Sequence, residues 1–212
     1  RIRILSSRQL IERGEIETGN WFLSVGNFWD KHKTEKNKNI ISEHWINYHN
    51  KLAQQNLSKQ YIVLYTSSAK DANATVINRE LLDLEFIVES KTYGYFTSSE
   101  DEAHYLCSFL NANEPNELIK AFQTRGLFGA RDVHKKILEV PFPKYDPDNE
   151  THMLLATMGK ACHVKAQNFF RTQPLSQILG TSELGRARLN VKNHLQEEIK
   201  KIDKILGEIV KG

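Results

Sequence analysis

A run of β-branched and aromatic residues, YIVLYT at 61–66, is too short for a helix and reads as a strand. Shorter segments of the same character follow at 74–77, 85–88 and 93–96. Four strands this short call for a small sheet covered by helices. Ser99 and Glu102 have the spacing of a capping box, which opens a helix through Leu110 with Ala103, Leu106, Cys107 and Leu110 on one face. Pro115 suits the first residue of the next helix, carrying Leu118, Ile119 and Phe122 and ended by Gly126. A strand at 137–140 runs into Pro141-Phe142-Pro143. Asp146 then caps a helix predicted over 147–170. Residues 173–183 break the pattern. Leu184, Val191, Leu195, Ile199, Ile202, Leu206 and Ile209 recur at the helical period, so one long helix is expected over 183–210.

Upstream of the sheet, residues 1–30 hold mixed apolar segments around Trp21, Phe22, Leu23, Val25, Phe28 and Trp29. Residues 31–39 are polar and lysine-rich, a loop or a helix start. Residues 40–56 predict an amphipathic helix with Ile41, Trp45, Tyr48 and Leu52 on one face. The expected fold class is therefore α/β (α+β), a small mixed sheet with flanking helices followed by a long C-terminal helix. The expected domains are 1–145, an α/β body, and 146–212, a helical region.

The 212 residues suffice for one sizeable core, and 40% hydrophobic with 26% charged content is ordinary for a globular chain. The net charge of +3 does not by itself point to nucleic acid. Its distribution says more. Lys31, Lys33, Lys36 and Lys38 form one basic cluster; Lys120, Arg125, Arg131, Lys135, Lys136 and Lys144 form another. The two cysteines, Cys107 and Cys162, fall in apolar helical patterns, as buried thiols of a reducing cytosol would. No apolar run has the length of a membrane span, and no signal peptide is legible, so a cytoplasmic, prokaryotic location is expected. The chain opens at Arg1 without a methionine, and an excised piece of a longer protein is the expectation.

The densest motif is residues 125–152, RGLFGARDVHKKILEVPFPKYDPDNETH. Gly126 and Gly129 let the main chain bend beside Arg125 and Arg131, and a basic turn follows at His134, Lys135 and Lys136. Arginine and lysine on glycine-bent backbone suit phosphate contact, because a chain without Cβ can approach a polyanion closely. The order of elements resembles the C-terminal part of large adenine-specific DNA methyltransferases of restriction-modification systems. The resemblance rests on Arg125-Gly126, Gly129-Ala130-Arg131-Asp132, His134-Lys135-Lys136, Pro141-Phe142-Pro143, Asp146-Pro147-Asp148-Asn149 and His152. Glu102-Ala103-His104-Tyr105-Leu106 and Leu110-Asn111 resemble a helix of the same region. It covers roughly residues 61–165, and type I restriction specificity subunits show a related arrangement.

The family's FxGxG cofactor loop and [DNS]PP[YFW] catalytic motif are missing from the sequence, whose five prolines include no Pro-Pro pair. The resemblance thus implies a target-recognition segment that is no enzyme by itself and carries no cofactor. Its parent would be an S-adenosylmethionine-dependent DNA adenine methyltransferase that flips its target base. The implied partners are duplex DNA and a methyltransferase catalytic domain, in cis or as a subunit, with no membrane. The candidate DNA-binding residues are Arg125, Arg131, His134, Lys135 and Lys136, with the segment Lys31, Lys33, Lys36 and Lys38 as a second set.

Other readings stay open. Arg131 and Asp132 could form a structural ion pair, with the lysines merely solvated. Tyr93, Tyr95 and Phe96 could stack a base, although their alternation also suits a core. The chain could be half of a type I specificity subunit, its tail a spacer helix, or a protein-interaction module. Glu89 and Lys91 have the E-x-K spacing of magnesium-dependent nucleases, with Asp71 or Asp83 as a third ligand. His104 with Cys107, and Cys162 with His163, are weak metal pairs lacking any C-x-x-C.

Overall fold

A computed structural model describes residues 3–67, 69–89, 91–123, 125–126, 129–130, 133, 136–172 and 180–211. The chain divides into two compact units. One is Arg1–Leu57 with Ile87–Ser90; the other is Ser58–Phe86 with Lys91–Gly212.

The first unit is helical: α1 (Ser7–Glu12), α2 (Ile16–His32) and α3 (Ser42–Ile46). Ser6 opens α1 with a reciprocal cap, its hydroxyl accepting from Gln9 N while Gln9 Oε1 accepts from Ser6 N. Gly14, at φ +87°, turns the chain into α2. Gly19 lets α2 lie on α1, since a Cβ there would sit 2.5 Å from Ile11 Cγ1. The amphipathic helix expected over 40–56 is cut short. It ends at Ile46, and a tight turn, Tyr48–Asn50, carries His49 and Asn50 at φ 55° and 58°. The cause is Asn47, whose Oδ1 accepts from both Leu52 N and Ala53 N and so replaces the helical ladder. The strand expected at 85–88 does not form either. Gln55 binds Val88 through both backbone groups, accepting from its N–H and donating to its carbonyl.

The second unit is built on β1 (Tyr61–Thr66), β2 (Ala74–Asn78) and β3 (Thr92–Thr97), ordered β2-β1-β3 and antiparallel throughout. Val63 stands opposite Val76 on one side and Tyr95 on the other, while Tyr65 meets Tyr93. Val63, Tyr65 and Val76 bury toward α4 (Glu100–Asn111), which contributes Ala103, Tyr105, Cys107, Phe109 and Leu110 to the same core. Ser99 caps α4 as expected. Glu102 does not complete the box, because its carboxylate accepts from Tyr95 Oη at 2.8 Å and from Thr97 Oγ1.

The next helix is α5 (Asn113–Ile119), in which Pro115 is the third residue rather than the first. Its N-terminal amides are capped from a distance by Asp203, whose Oδ1 accepts from Asn113 N and Glu114 N. A two-residue ladder, β4 (Arg125–Gly126) with β5 (Gly129–Ala130), follows. The strand expected at 137–140 is a single helical turn, Lys136–Glu139. Val133 and Ile137, four apart, are both fully buried, and Pro141 and Pro143 have no N–H for a ladder.

Helix α6 (Glu150–Thr172) starts three residues later than expected. Asp146 makes a turn with Asp148 N, and Asn149 caps the helix through Thr151 N and His152 N. Helices α4 and α6 run antiparallel and very close. A Cβ on Gly159 would lie 2.5 Å from His104 O and from Ser108 Oγ. Gly159→Ala should therefore destabilise the protein by about 2 kcal/mol despite alanine's better helix propensity; urea unfolding measures it. The long C-terminal helix is present with one interruption at Leu195, as α7 (Thr181–His194) and α8 (Gln196–Lys211). Its ladder carries across, Leu195 N to Val191 O and Ile199 N to Leu195 O. Ile202 and Leu206 of α8 enter the core, so α8 closes the body of its own unit.

Candidate nucleic-acid interface

Residues 141–152 of the motif at 125–152 serve as scaffold. Phe142 stacks between Phe109 and Tyr105, with ring centroids 4.0 and 4.6 Å away. Tyr105 Oη donates to Pro143 O, and the buried His152 accepts from Asp146 N through Nδ1. The residues 141–152 that carry much of the resemblance thus fix the chain to α4 and α6. Of the basic residues, only the backbone of Arg125 and of Lys136 is described. Arg125 pairs through its backbone with Ala130, and Gly126 with Gly129. Lys136 opens the turn to Glu139. Arg131, Asp132, His134 and Lys135 lie outside the described residues. On the near side of this stretch Val133 N donates to Ser67 O, and Gln123 Nε2 donates to Lys70 O.

The lysine segment keeps only part of its charge. Lys33 pairs with Asp30 at 2.7 Å and is 22% exposed; Lys38 pairs with Glu35 at 3.4 Å. Lys31 and Lys36 are exposed and have no ion pair among the described residues. Both ends of the segment are tied, because Trp29 Nε1 donates to Ile40 O at 2.7 Å. Four rings stand in series beside that bond. Trp29 stacks on Trp45 (5.0 Å, 28°), Trp45 meets Tyr48 (5.2 Å), and Tyr48 meets His49 (4.1 Å). The sequence pattern put Trp45 and Tyr48 on one face of an amphipathic helix; they are 44% and 48% exposed. The aromatics weighed in β3 are tied into the fold: Tyr93 against Tyr65, Tyr95 on Glu102, and Phe96 under the Arg79 guanidinium at 6.0 Å.

A cavity of about 340 Å³ lies between β2, α4, α6, α7 and α8. Its amide groups are satisfied internally. Asn111 bridges Ala74 O and Cys107 O, and Asn116 binds Ala72 N, Leu110 O and Ala112 O. Burial pushes the lining thiols up, Cys107 to about 12 and Cys162 to about 11, so neither is a thiolate nucleophile near neutrality. His104 and His163 meet edge to face at 5.4 Å across the α4–α6 contact. Burial, then the neighbouring His163, lowers His104 to about 4; burial also lowers His163. The two sequence pairs thus converge. Even so, no group of three or more His, Cys, Asp or Glu residues is placed to hold a metal among the described residues. Asp71, considered above as a nuclease ligand, is paired with Lys192 at 3.2 Å. No described helix is long and apolar enough to cross a membrane. No family model, curated protein or solved structure matches the chain.

Proposed function

We propose that this chain binds duplex DNA as the target-recognition part of an adenine-specific DNA methyltransferase of a restriction-modification system. Such a part is inert by itself and presents one adenine to a catalytic domain, in cis or as a subunit, that uses S-adenosylmethionine. The observation that supports the reading is the burial of the residues on either side of the basic segment. His134, Lys135 and Lys136 fall between two fully buried residues, Val133 and Ile137. The apolar anchors bracket three successive basic residues, an arrangement that suits positioning against phosphates rather than closing a core. Lys31 and Lys36, exposed and without an ion pair among the described residues, supply a second basic pair.

The test is fluorescence anisotropy with a random-sequence duplex over a range of salt. Binding should weaken steeply with salt through counterion release. Lys135→Ala with Lys136→Ala should reduce the salt slope by about two, lowering affinity equally for all sequences. Absence of duplex binding at low salt, or a slope untouched by the double substitution, would sink the assignment.

A further inference from the structure

We propose that the cavity between β2, α4, α6, α7 and α8 binds a small apolar carboxylate of about a dozen non-hydrogen atoms. The proposal is independent of the DNA reading. Its first support is size. The cavity holds about 340 Å³, and ligand sites begin near ~300 Å³. A dry cavity of ~150 Å³ takes the six carbons of benzene, so this one takes roughly twice as many atoms. The second support is the lining. Ala166, Phe170, Val191, Leu195, Ile199 and Ile202 give it an apolar wall, and the first four are only half buried. That surface gains free energy when a ligand covers it. Polar side chains of the lining are already engaged within the fold. Asn111 holds the Ala74 and Cys107 carbonyls, Asn116 those of Leu110 and Ala112, and Ser108 Oγ donates to the backbone at His104 or Leu155. A ligand body thus meets hydrocarbon and filled hydrogen bonds, which suits a chain or ring without polar atoms.

The third support is the sign of the charge. Arg188, Val191, Lys192 and Leu195 all line the cavity, and their spacing of three and four puts them on one face of α7. Asp71 is the one carboxylate among the described lining residues, and it pairs with Lys192 at 3.2 Å. Arg188 has no ion pair among the described residues. His163, lowered by burial, adds no charge above neutrality. The lining therefore carries one unbalanced positive charge. A guanidinium grips a carboxylate through two parallel hydrogen bonds. With the head on Arg188, the apolar body of the ligand lies along Val191 and Leu195. An apolar cation would meet Arg188 unpaired, and a highly charged anion would lose its hydration against the apolar wall.

The test titrates the whole chain at pH 8 by calorimetry with decanoate, decanol and decyltrimethylammonium. The three share one alkyl chain and differ in charge. Decanoate should saturate a single site, binding about fivefold tighter than decanol, the gain from one partly exposed ion pair. The ammonium compound should bind more weakly than decanol. Arg188→Ala should reduce decanoate to the affinity of decanol and leave decanol unchanged. A second readout places the ligand. Cys162 lines the cavity and is partly buried, so decanoate should slow its reaction with N-ethylmaleimide as the site fills. Mass spectrometry of the labelled peptide reads that rate at Cys162 alone. Ala166→Trp should fill the cavity and abolish binding of all three compounds, with circular dichroism as the check on folding. Arg188 is exposed, so its variant tests the charge even where the tryptophan variant does not fold. The site is overturned by decanoate binding that does not saturate, that leaves the Cys162 rate unchanged, or that survives intact in Arg188→Ala. An ammonium compound that binds as tightly as decanoate overturns it equally.

Discussion

Phe109→Ala is expected to cost about 4 kcal/mol of stability, the largest effect of any single substitution considered for this chain. Phe109 is 1% exposed and lies at the centre of the second unit. Its ring is parallel to Phe142 within 16°, with centroids 4.0 Å apart, and Phe142 continues the stack onto Tyr105. Truncation removes the transfer energy of a buried ring, leaves a cavity in a close-packed core, and deletes one ring pair of the stack. The three rings join α4 to the Pro141-Phe142-Pro143 segment, which follows the basic segment after the helical turn Lys136–Glu139. The damage should therefore reach the candidate DNA-binding residues without touching them. A small domain has about 5–15 kcal/mol of net stability, so the variant should unfold at much lower urea and bind duplex more weakly in proportion to its unfolded fraction. Phe142→Ala should cost less, because that ring is only half buried. A loss below about 1 kcal/mol for Phe109→Ala would mean that the stack does not anchor the segment.

What the sequence made legible divides by range of interaction. Strands β1, β2 and β3, the Ser99 cap and the apolar stripe of α8 follow from local pattern, and the structure has them. Two of the failures trace to a side chain that takes over backbone groups. Asn47 occupies two amides and ends the helix expected over 40–56. Gln55 reaches thirty-three positions along the chain to hold both polar groups of Val88, which therefore cannot join a ladder. Neither event has a periodic signature. At the candidate site, the motif at 141–152 was visible, but its scaffolding role was not, since stacking by Phe142 and capping by Asn149 depend on α4 and α6. The ring series was missed for a related reason. Trp45 and Tyr48 have the spacing of one helical face, and only the bond from Trp29 to Ile40 shows what they stand beside.

Acid should destabilise the protein from about pH 6.5 downward, because of His104. The side chain is 5% exposed, its Nδ1 has no hydrogen-bond partner among the described residues, and it faces His163 across the α4–α6 contact. Burial first, and the second histidine next, hold it neutral down to about pH 4. In the unfolded chain the same imidazole takes up its proton near pH 6.5. Between those values the unfolded state binds a proton that the folded state refuses, so stability rises with pH across the window and levels off above it. The full difference corresponds to up to about 3 kcal/mol, present above pH 6.5 and lost by pH 4. His163, lowered in the same direction by burial, reinforces the slope. Glu100 and Asp101 oppose it only weakly, since both are already paired with Lys160 at 2.8 and 2.9 Å. Glu198, lowered chiefly by its bond from Lys165, contributes a loss confined to more acidic pH, so the two effects separate on the pH axis. Urea midpoints taken from pH 7.5 down to 4 measure the slope. His104→Leu, which removes the proton site and keeps the volume apolar, should flatten it. A wild-type midpoint that does not fall between pH 6.5 and 4.5, or a slope that survives in His104→Leu, would show that His104 is not held neutral by the α4–α6 contact.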